Sequence, residues 1–252
     1  MLNMILHGEK TKLPPLVIAH GLYGSARNWS VIAKRLSDER QVIAVDMRNH
    51  GQSAWHRAQG YHDMADDLAE VVENQGQTAD VLGHSMGGKA TMVLALTHPH
   101  LVRRLVVADI APVAYAHSQI EFIHAMRAVD LARVERRSDA QAQLADLGVE
   151  PGLQSFFTQS LDIAARRWRL NLDVLAVKMP EIMGFPTLDT TWSGPALFLS
   201  GALSDYVRPD HRLLIRARFP NARLARLAGA GHWLHAEKPR QFEATVRAFL
   251  NA

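Results

Sequence analysis

Short apolar runs alternate along the chain with longer segments whose apolar residues recur at helical spacing. Runs at 16–19, 41–45, 79–82, 105–108, 196–200 and 223–227 have strand length, the first directly after a Pro14-Pro15 break. Between them, 26–36, 64–74, 88–97, 211–218 and 240–250 read as helices; in 64–74, Leu68, Val71 and Val72 share one face. Alternation of this kind predicts an α/β fold, with a mostly parallel central sheet and helices on both faces.

The alternation stops between residues 114 and 191. That stretch has helix periods, best at 120–129 and 163–177, but no strand pattern that continues the sheet. It divides the chain into a core of residues 1–113 and 192–252 and an inserted helical lid of residues 114–191. A lid excludes water from a site and shapes its pocket. Most of its apolar side chains, among them Phe122, Phe156, Phe157 and Leu172, are expected to form the lid's own small core, and a minority to line an acyl pocket.

Composition narrows the chemistry. There is no cysteine among the 252 residues, so thiol nucleophiles, disulfides and thiolate metal sites are excluded. No targeting segment opens the chain and no window is long enough to span a bilayer, and a cytoplasmic location is the expectation. The net charge of +3 arises in the last stretch, where residues 191–252 carry 9 basic and 4 acidic side chains. Arg208, Arg212, Arg216, Arg218, Arg223 and Arg226 read as a solvated face, the sharper alternative being a landing site for an anionic partner. No basic–aromatic interleaving of a nucleic-acid binder is present.

Candidate chemistry centres on Val81-Leu82-Gly83-His84-Ser85-Met86-Gly87-Gly88-Lys89. This is Gly-x-Ser-x-Gly between a strand and a helix, the context of a nucleophile elbow. Gly83 and Gly87 leave room where the chain doubles back, and the helix that follows points free N–H groups at the turn. The same letters fit the front of a phosphate-binding loop, Gly83 to Lys89. That loop needs Ser or Thr next, and this chain has Ala90.

An acyl-transfer site needs a base, an orienting acid and an oxyanion hole around Ser85. Gly229-Ala230-Gly231-His232-Trp233 follows the last strand, which makes His232 the expected base. His84 is read as packing and His235 as a supporting residue. The N–H groups of Met86, after the nucleophile, and of Leu22, in His20-Gly21-Leu22-Tyr23-Gly24, are the expected oxyanion donors. The acid is less direct. The penultimate strand leads into Gly201-Ala202-Leu203-Ser204-Asp205-Tyr206-Val207, where the position usual for the acid is Ser204 and Asp205 comes one residue late. Asp109, at the end of the strand 105–108, is the favoured acid, with Ser204 hydrogen-bonding into the pair and Asp205 as the alternative.

These motifs, together with Val45-Asp46-Met47-Arg48-Asn49-His50-Gly51-Gln52-Ser53 and Asp109-Ile110-Ala111-Pro112-Val113, resemble the α/β-hydrolases. Within them the chain is similar to small bacterial acyl-CoA esterases of the YbfF type, whose animal relatives are mitochondrial hydrolases. The resemblance implies ester and thioester hydrolysis with no metal or organic cofactor and no obligate protein partner. It also implies an acid after the earlier strand, matching Asp109, and a serine in the usual acid position, matching Ser204. Arg167-Trp168-Arg169-Leu170-Asn171-Leu172 resembles the family's Trp-Arg-x-Asn stretch. Tyr23 and Arg169 are therefore candidate substrate contacts, Arg169 having the alternative role of pinning the lid. Asp46, Arg48 and Asn49 are read as fixing a turn. Two other readings of the triad remain: a carbon–carbon bond hydrolase or menaquinone-pathway-type lyase, and a non-catalytic receptor on the same fold.

Overall fold

A computed structural model describes residues 1–252. Seven strands form one sheet in the order β1-β3-β2-β4-β5-β8-β9: β1 (Met4–His7), β2 (Leu16–Ala19), β3 (Val42–Val45), β4 (Ala79–His84), β5 (Val102–Ala108), β8 (Ala196–Gly201) and β9 (Ala222–Leu227). Only β1 runs antiparallel to its neighbour. The sequence pattern missed β1, because the apolar run Met4-Ile5-Leu6 is only three residues long and lies only partly buried at the sheet edge.

The central strands are apolar over most of their length because both faces are covered. Alternate residues serve two cores. Val17, Ala19, Val81, Leu105 and Val107 face the larger one with α2 (Tyr61–Glu73) and α3 (Met86–Thr97). Leu16, Ile18, Leu82, Val106 and Ala108 face the smaller one with α1 (Ser30–Leu36) and α11 (Pro239–Leu250). The period of two is the pleat of the strands, read on both sides. The helix α3 is buried along its length, since sheet, α2 and the inserted segment surround it. No helix is long and apolar enough to cross a membrane.

Between β5 and β8 lie α4 (Ile120–Ala128), α5 (Arg137–Asp146), α6 (Pro151–Thr158), a small hairpin of β6 (Leu161–Asp162) and β7 (Arg167–Trp168), α7 (Leu172–Val177) and α8 (Met179–Met183). The helix expected over 163–177 is therefore only half right. Residues 163–166 form the hairpin turn, closed by Asp162 accepting from the Ala165 N–H at 3.1 Å and by Arg166 at φ 49°. The helix starts at Leu172, after the Asn171 side chain caps the Val174 N–H. Helical spacing of apolar residues continued across the turn and disguised it. The remaining short elements are α9 (His211–Arg218) and α10 (Leu234–Glu237).

Candidate active site

The site sits where the strands end. Ser85 follows β4 with φ 52° and ψ −117°, a left-handed conformation that a β-carbon makes costly. The surroundings permit it only because of glycine. A β-carbon on Gly83 would meet the Gly87 carbonyl oxygen at 2.2 Å, and one on Gly87 would meet the Ala19 carbonyl oxygen at 2.4 Å. The turn is held by the Ser85 N–H donating to Ala108 (3.1 Å) and by Lys89 N–H donating to the Ser85 carbonyl (3.0 Å).

Asp109 ends β5, beside β4, and also has a positive φ, 50°. Its carboxylate is fully buried and accepts three hydrogen bonds. The Gly201 N–H donates to Oδ1 at 3.0 Å. The Ser204 hydroxyl and His232 Nδ1, the latter at 2.7 Å, both donate to Oδ2. Asp205 is exposed and makes no hydrogen bond to this cluster. Thus Asp109, Ser204 and His232 come together from the ends of three strands.

His232 is held from several sides. The Tyr206 ring stacks on its imidazole at 3.9 Å between centroids. Glu237 accepts from the N–H groups of Gly231 (2.7 Å) and Trp233 (3.2 Å), the two neighbours of His232. His84 Nε2–H donates to the His232 carbonyl at 2.9 Å. His84 thus packs beneath the loop, as its place in the sequence suggested, and also ties it. Burial holds His84 well below the usual imidazole range and pushes His235, stacked on Trp29 at 4.2 Å, down to about 3. Both neighbours stay uncharged, so neither opposes a cation on His232. Tyr206 and Glu237 were not singled out from sequence. The tyrosine lies two residues after Ser204, but nothing local shows that its ring turns onto a distant histidine.

The loop after β2 faces Ser85. Leu22 N–H has no acceptor within the protein, and Met86 is the first residue of α3, where N–H groups have no intrahelical partner. Two buried histidines fix this loop. His20 Nε2 accepts from Met47 N–H (2.9 Å), so its Nδ1–H donates to the Gly21 carbonyl (2.7 Å). His50 Nε2 accepts from Tyr23 N–H (3.2 Å) and its Nδ1–H donates to the Arg48 carbonyl (2.8 Å). Asp46 caps the Ala26 and Gln52 N–H groups, at 2.7 and 2.8 Å, and Arg48 forks onto Asp67. These contacts hold the turn after β3, as read from sequence.

Two cavities meet at Ser85. The outer one, about 40 Å³, has Gly21, Leu22, Tyr23, Phe156 and His232 in its wall and shares Asn28, Phe156 and Trp233 with an open cavity of about 430 Å³. The inner one, about 20 Å³, has Met86, Lys89, Ile110, Ile182 and Met183 in its wall. The Ser85 hydroxyl and the His232 ring share the outer cavity without a hydrogen bond between them, a contact that commonly tightens only when substrate binds. Tyr23 also lines it, its hydroxyl donating to the Gln119 carbonyl at 2.8 Å. Arg169 does not belong here. Its guanidinium pairs with Asp162 at 3.0 Å across the small hairpin, in a separate polar cavity with Gln52, Ser53 and Trp55. This ion pair lies within the insert, so it is not the pin between lid and core expected as the alternative to a substrate contact. No three His, Asp or Glu side chains are grouped to hold a metal ion.

Comparison with known proteins agrees with this fold. Residues 14–148 match the family described as the alpha/beta hydrolase fold. The chain is 42% identical to a mouse protein named sn-1-specific diacylglycerol lipase ABHD11, over 98% of this chain and 83% of that one. It is 39% identical to the Escherichia coli (strain K12) esterase YbfF, over 94% of this chain and 93% of that one. A solved structure described as a marine microorganism esterase matches with a TM-score of 0.93 at 37% identity, over 98% of each chain.

Proposed function

Because this chain belongs to the α/β-hydrolase family, we propose that it is a serine esterase, cleaving carboxylic esters or acyl-CoA thioesters through Ser85, His232 and Asp109. Its relatives named esterase and lipase support a hydrolase of that type. The observation that carries the residue assignment is the 2.7 Å contact between His232 Nδ1 and the buried Asp109 carboxylate, in a loop that shares a cavity with the elbow serine.

In this reading His232 Nε2 takes the Ser85 proton as the hydroxyl oxygen attacks the acyl carbon. The developing oxyanion is held by the N–H groups of Leu22 and Met86. His232 then gives its proton to the departing alcohol or thiol, leaving an acyl-enzyme on Ser85. Water, deprotonated by His232, attacks that ester and releases the acid. Asp109 keeps the His232 proton on Nδ1, so that Nε2 faces the reaction as a base. Ser204 and the Gly201 N–H hold the carboxylate for that task.

The two cavities then divide the substrate. The leaving group must receive its proton from His232, and only the outer cavity has His232 in its wall. The leaving group therefore occupies the outer cavity and extends into the open one of about 430 Å³. The acyl group takes the inner cavity, whose resting volume of about 20 Å³ favours short chains. Residues 114–191 serve as the lid, with Gln119 and Phe156 over the outer cavity and Ile182 and Met183 over the inner.

Hydrolysis of p-nitrophenyl esters and acyl-CoA thioesters of graded chain length, by wild type and Ser85→Ala, tests the proposal. Turnover that vanishes in the folded variant and favours short acyl groups is expected. A folded wild type without Ser85-dependent turnover on any member would overturn it.

A further inference from the structure

Three cations of this chain are buried. Arg40 and Arg48 pair with Asp80 and Asp67, whereas Lys89 has no carboxylate partner. Lys89 lies one turn into α3 from Ser85. Its Nζ donates to the carbonyls of Met183 (2.9 Å) and Gly184 (2.5 Å), at the C-terminal end of α8. It also stands 4.7 Å from the ring centre of Tyr115 and 5.6 Å from that of Tyr61. Burial pushes its ammonium down to about 7. Keeping a lysine there has a cost, and a neutral side chain of similar shape would avoid it.

The same stretch of backbone is held by two other groups. Tyr61 Oη donates to the Ile182 carbonyl at 2.5 Å, and the Tyr115 N–H donates to the Met183 carbonyl at 3.0 Å. Donors from α2, from α3 and from the segment after β5 thus converge on residues 182–184. The side chains of Ile182 and Met183 close the inner cavity against Met86, Ile110 and Ser85. Lys89 is the one tether among them that comes from the helix carrying the nucleophile.

We propose that Lys89 is a positioning residue that sets acyl-chain length, by tying the end of α8 to the elbow helix and so keeping Ile182 and Met183 closed over the inner cavity. The proposal rests on the reading above, in which that cavity takes the acyl group. Lys89 touches no reacting atom in it. Its ammonium acts on carbonyls of the lid, and the lid side chains limit the space.

The test compares wild type, Lys89→Met and Tyr61→Phe on p-nitrophenyl acetate and octanoate, with Ser85→Ala as the blank. Amide hydrogen exchange at Ile182 and Gly184 is measured on the same proteins. Methionine keeps the unbranched, flexible shape of lysine, one heavy atom shorter, and removes its donors. Lys89→Met is expected to raise the octanoate-to-acetate ratio of kcat/KM about tenfold or more, chiefly through KM for octanoate, since one methylene in an apolar pocket is worth about tenfold or above. Exchange at Ile182 and Gly184 is expected to speed up. Tyr61→Phe is expected to shift both readouts the same way by less, and it carries the test if Lys89→Met does not fold. An unchanged ratio, or equal losses on both esters, would overturn the proposal and leave Lys89 a packing residue. Activity on both esters that survives Ser85→Ala would instead remove the esterase reading itself, and this inference with it.

Discussion

Asp109→Asn separates the two candidate acids by a mechanism that the hydrogen bonds make explicit. Asp109 Oδ1 accepts from the Gly201 N–H, a backbone donor that cannot turn away, and Oδ2 accepts from Ser204 and His232. An asparagine has one acceptor oxygen and one NH2 group. Turning the NH2 toward Gly201 would set two donors face to face in a fully buried place, at a cost of about 1–3 kcal/mol. The amide therefore settles with its oxygen at Gly201 and its NH2 toward His232. The imidazole responds by accepting at Nδ1 and moving its proton to Nε2. Nε2 is then a donor and cannot take the Ser85 proton. In serine hydrolases the same change of tautomer costs roughly 10⁴ in kcat, or ~5.5 kcal/mol of activation free energy. Asp205 is exposed and makes no contact with the imidazole, so Asp205→Asn is expected to stay within about 0.5 kcal/mol. The assay is kcat and KM on a short-chain p-nitrophenyl ester, with circular dichroism to show that both variants are folded. Asp109→Asn retaining more than a tenth of wild-type kcat, or Asp205→Asn losing more than Asp109→Asn, would refute this reasoning.

Other changes test the supports of the site. Glu237→Gln keeps one acceptor for the two N–H groups beside His232, and kcat is expected to fall about fivefold with little change in KM, since one exposed contact is worth ~1 kcal/mol. Asp80→Ala strands Arg40 and Arg103, which both bind that carboxylate at the start of β4, and urea unfolding is expected to show a loss of about 3–5 kcal/mol. Lys89 gives a pH signature. Its pKa is about 7 when folded against 10.5 for the free side chain, so between those values the unfolded chain holds one more proton. Stability of wild type relative to Lys89→Met is therefore expected to rise with pH across that window, by up to ~1.4 kcal/mol per unit, and to be flat below it. Denaturant melts of both proteins from pH 6 to 10 read this directly, and a difference that falls with pH would contradict it.

The sheet was largely legible in the sequence because its strands are covered on both faces. Leu16 to Ala19 and Val81 to Leu82 appear as unbroken apolar runs, and α1, α2 and α11 show one apolar face each. The edge strand β1 and the hairpin at Leu161 to Trp168 were not legible, since two-residue strands and a half-buried edge leave no periodic signal. For the candidate site, residues fixed by local backbone needs could be read. Ser85 is marked by the glycines that its turn requires, and His232 by the Gly229 and Gly231 of its loop. Asp109 could be read only as one of two candidates, since its partner lies 123 residues away. Lys89 meets Met183, 94 residues away, Tyr206 stacks on His232 from another loop, and Glu237 reaches back across a tight turn to N–H groups 4 and 6 residues before it; no short motif encodes where these side chains arrive.

The two strained residues suggest why the supports are so numerous. Ser85 and Asp109 sit at adjacent strand ends, each with φ near 50°. Such conformations cost of order 1–3 kcal/mol each and persist only where the surroundings over-determine them. Here they are bound to one another through the sheet: Ser85 N–H donates to Ala108, the residue before Asp109, and Asp109 N–H donates to Leu199 on β8. The turn that presents the hydroxyl and the turn that presents the carboxylate thus share one ladder, and the loop of His232 is fastened to its far side by the Leu203 N–H donating to the Ala230 carbonyl at 2.9 Å. Relaxing either strained turn would misplace both groups relative to the imidazole. A substitution that relieves strain at Asp109, such as Asp109→Gly, is therefore expected to abolish turnover, even where freedom at positive φ offsets part of the lost hydrogen bonding in a thermal melt. Thermal unfolding and turnover measured together on Asp109→Gly and Asp109→Ala decide this. Glycine should melt higher than alanine while both stay inactive, and equal melting temperatures would show that the strain is not there.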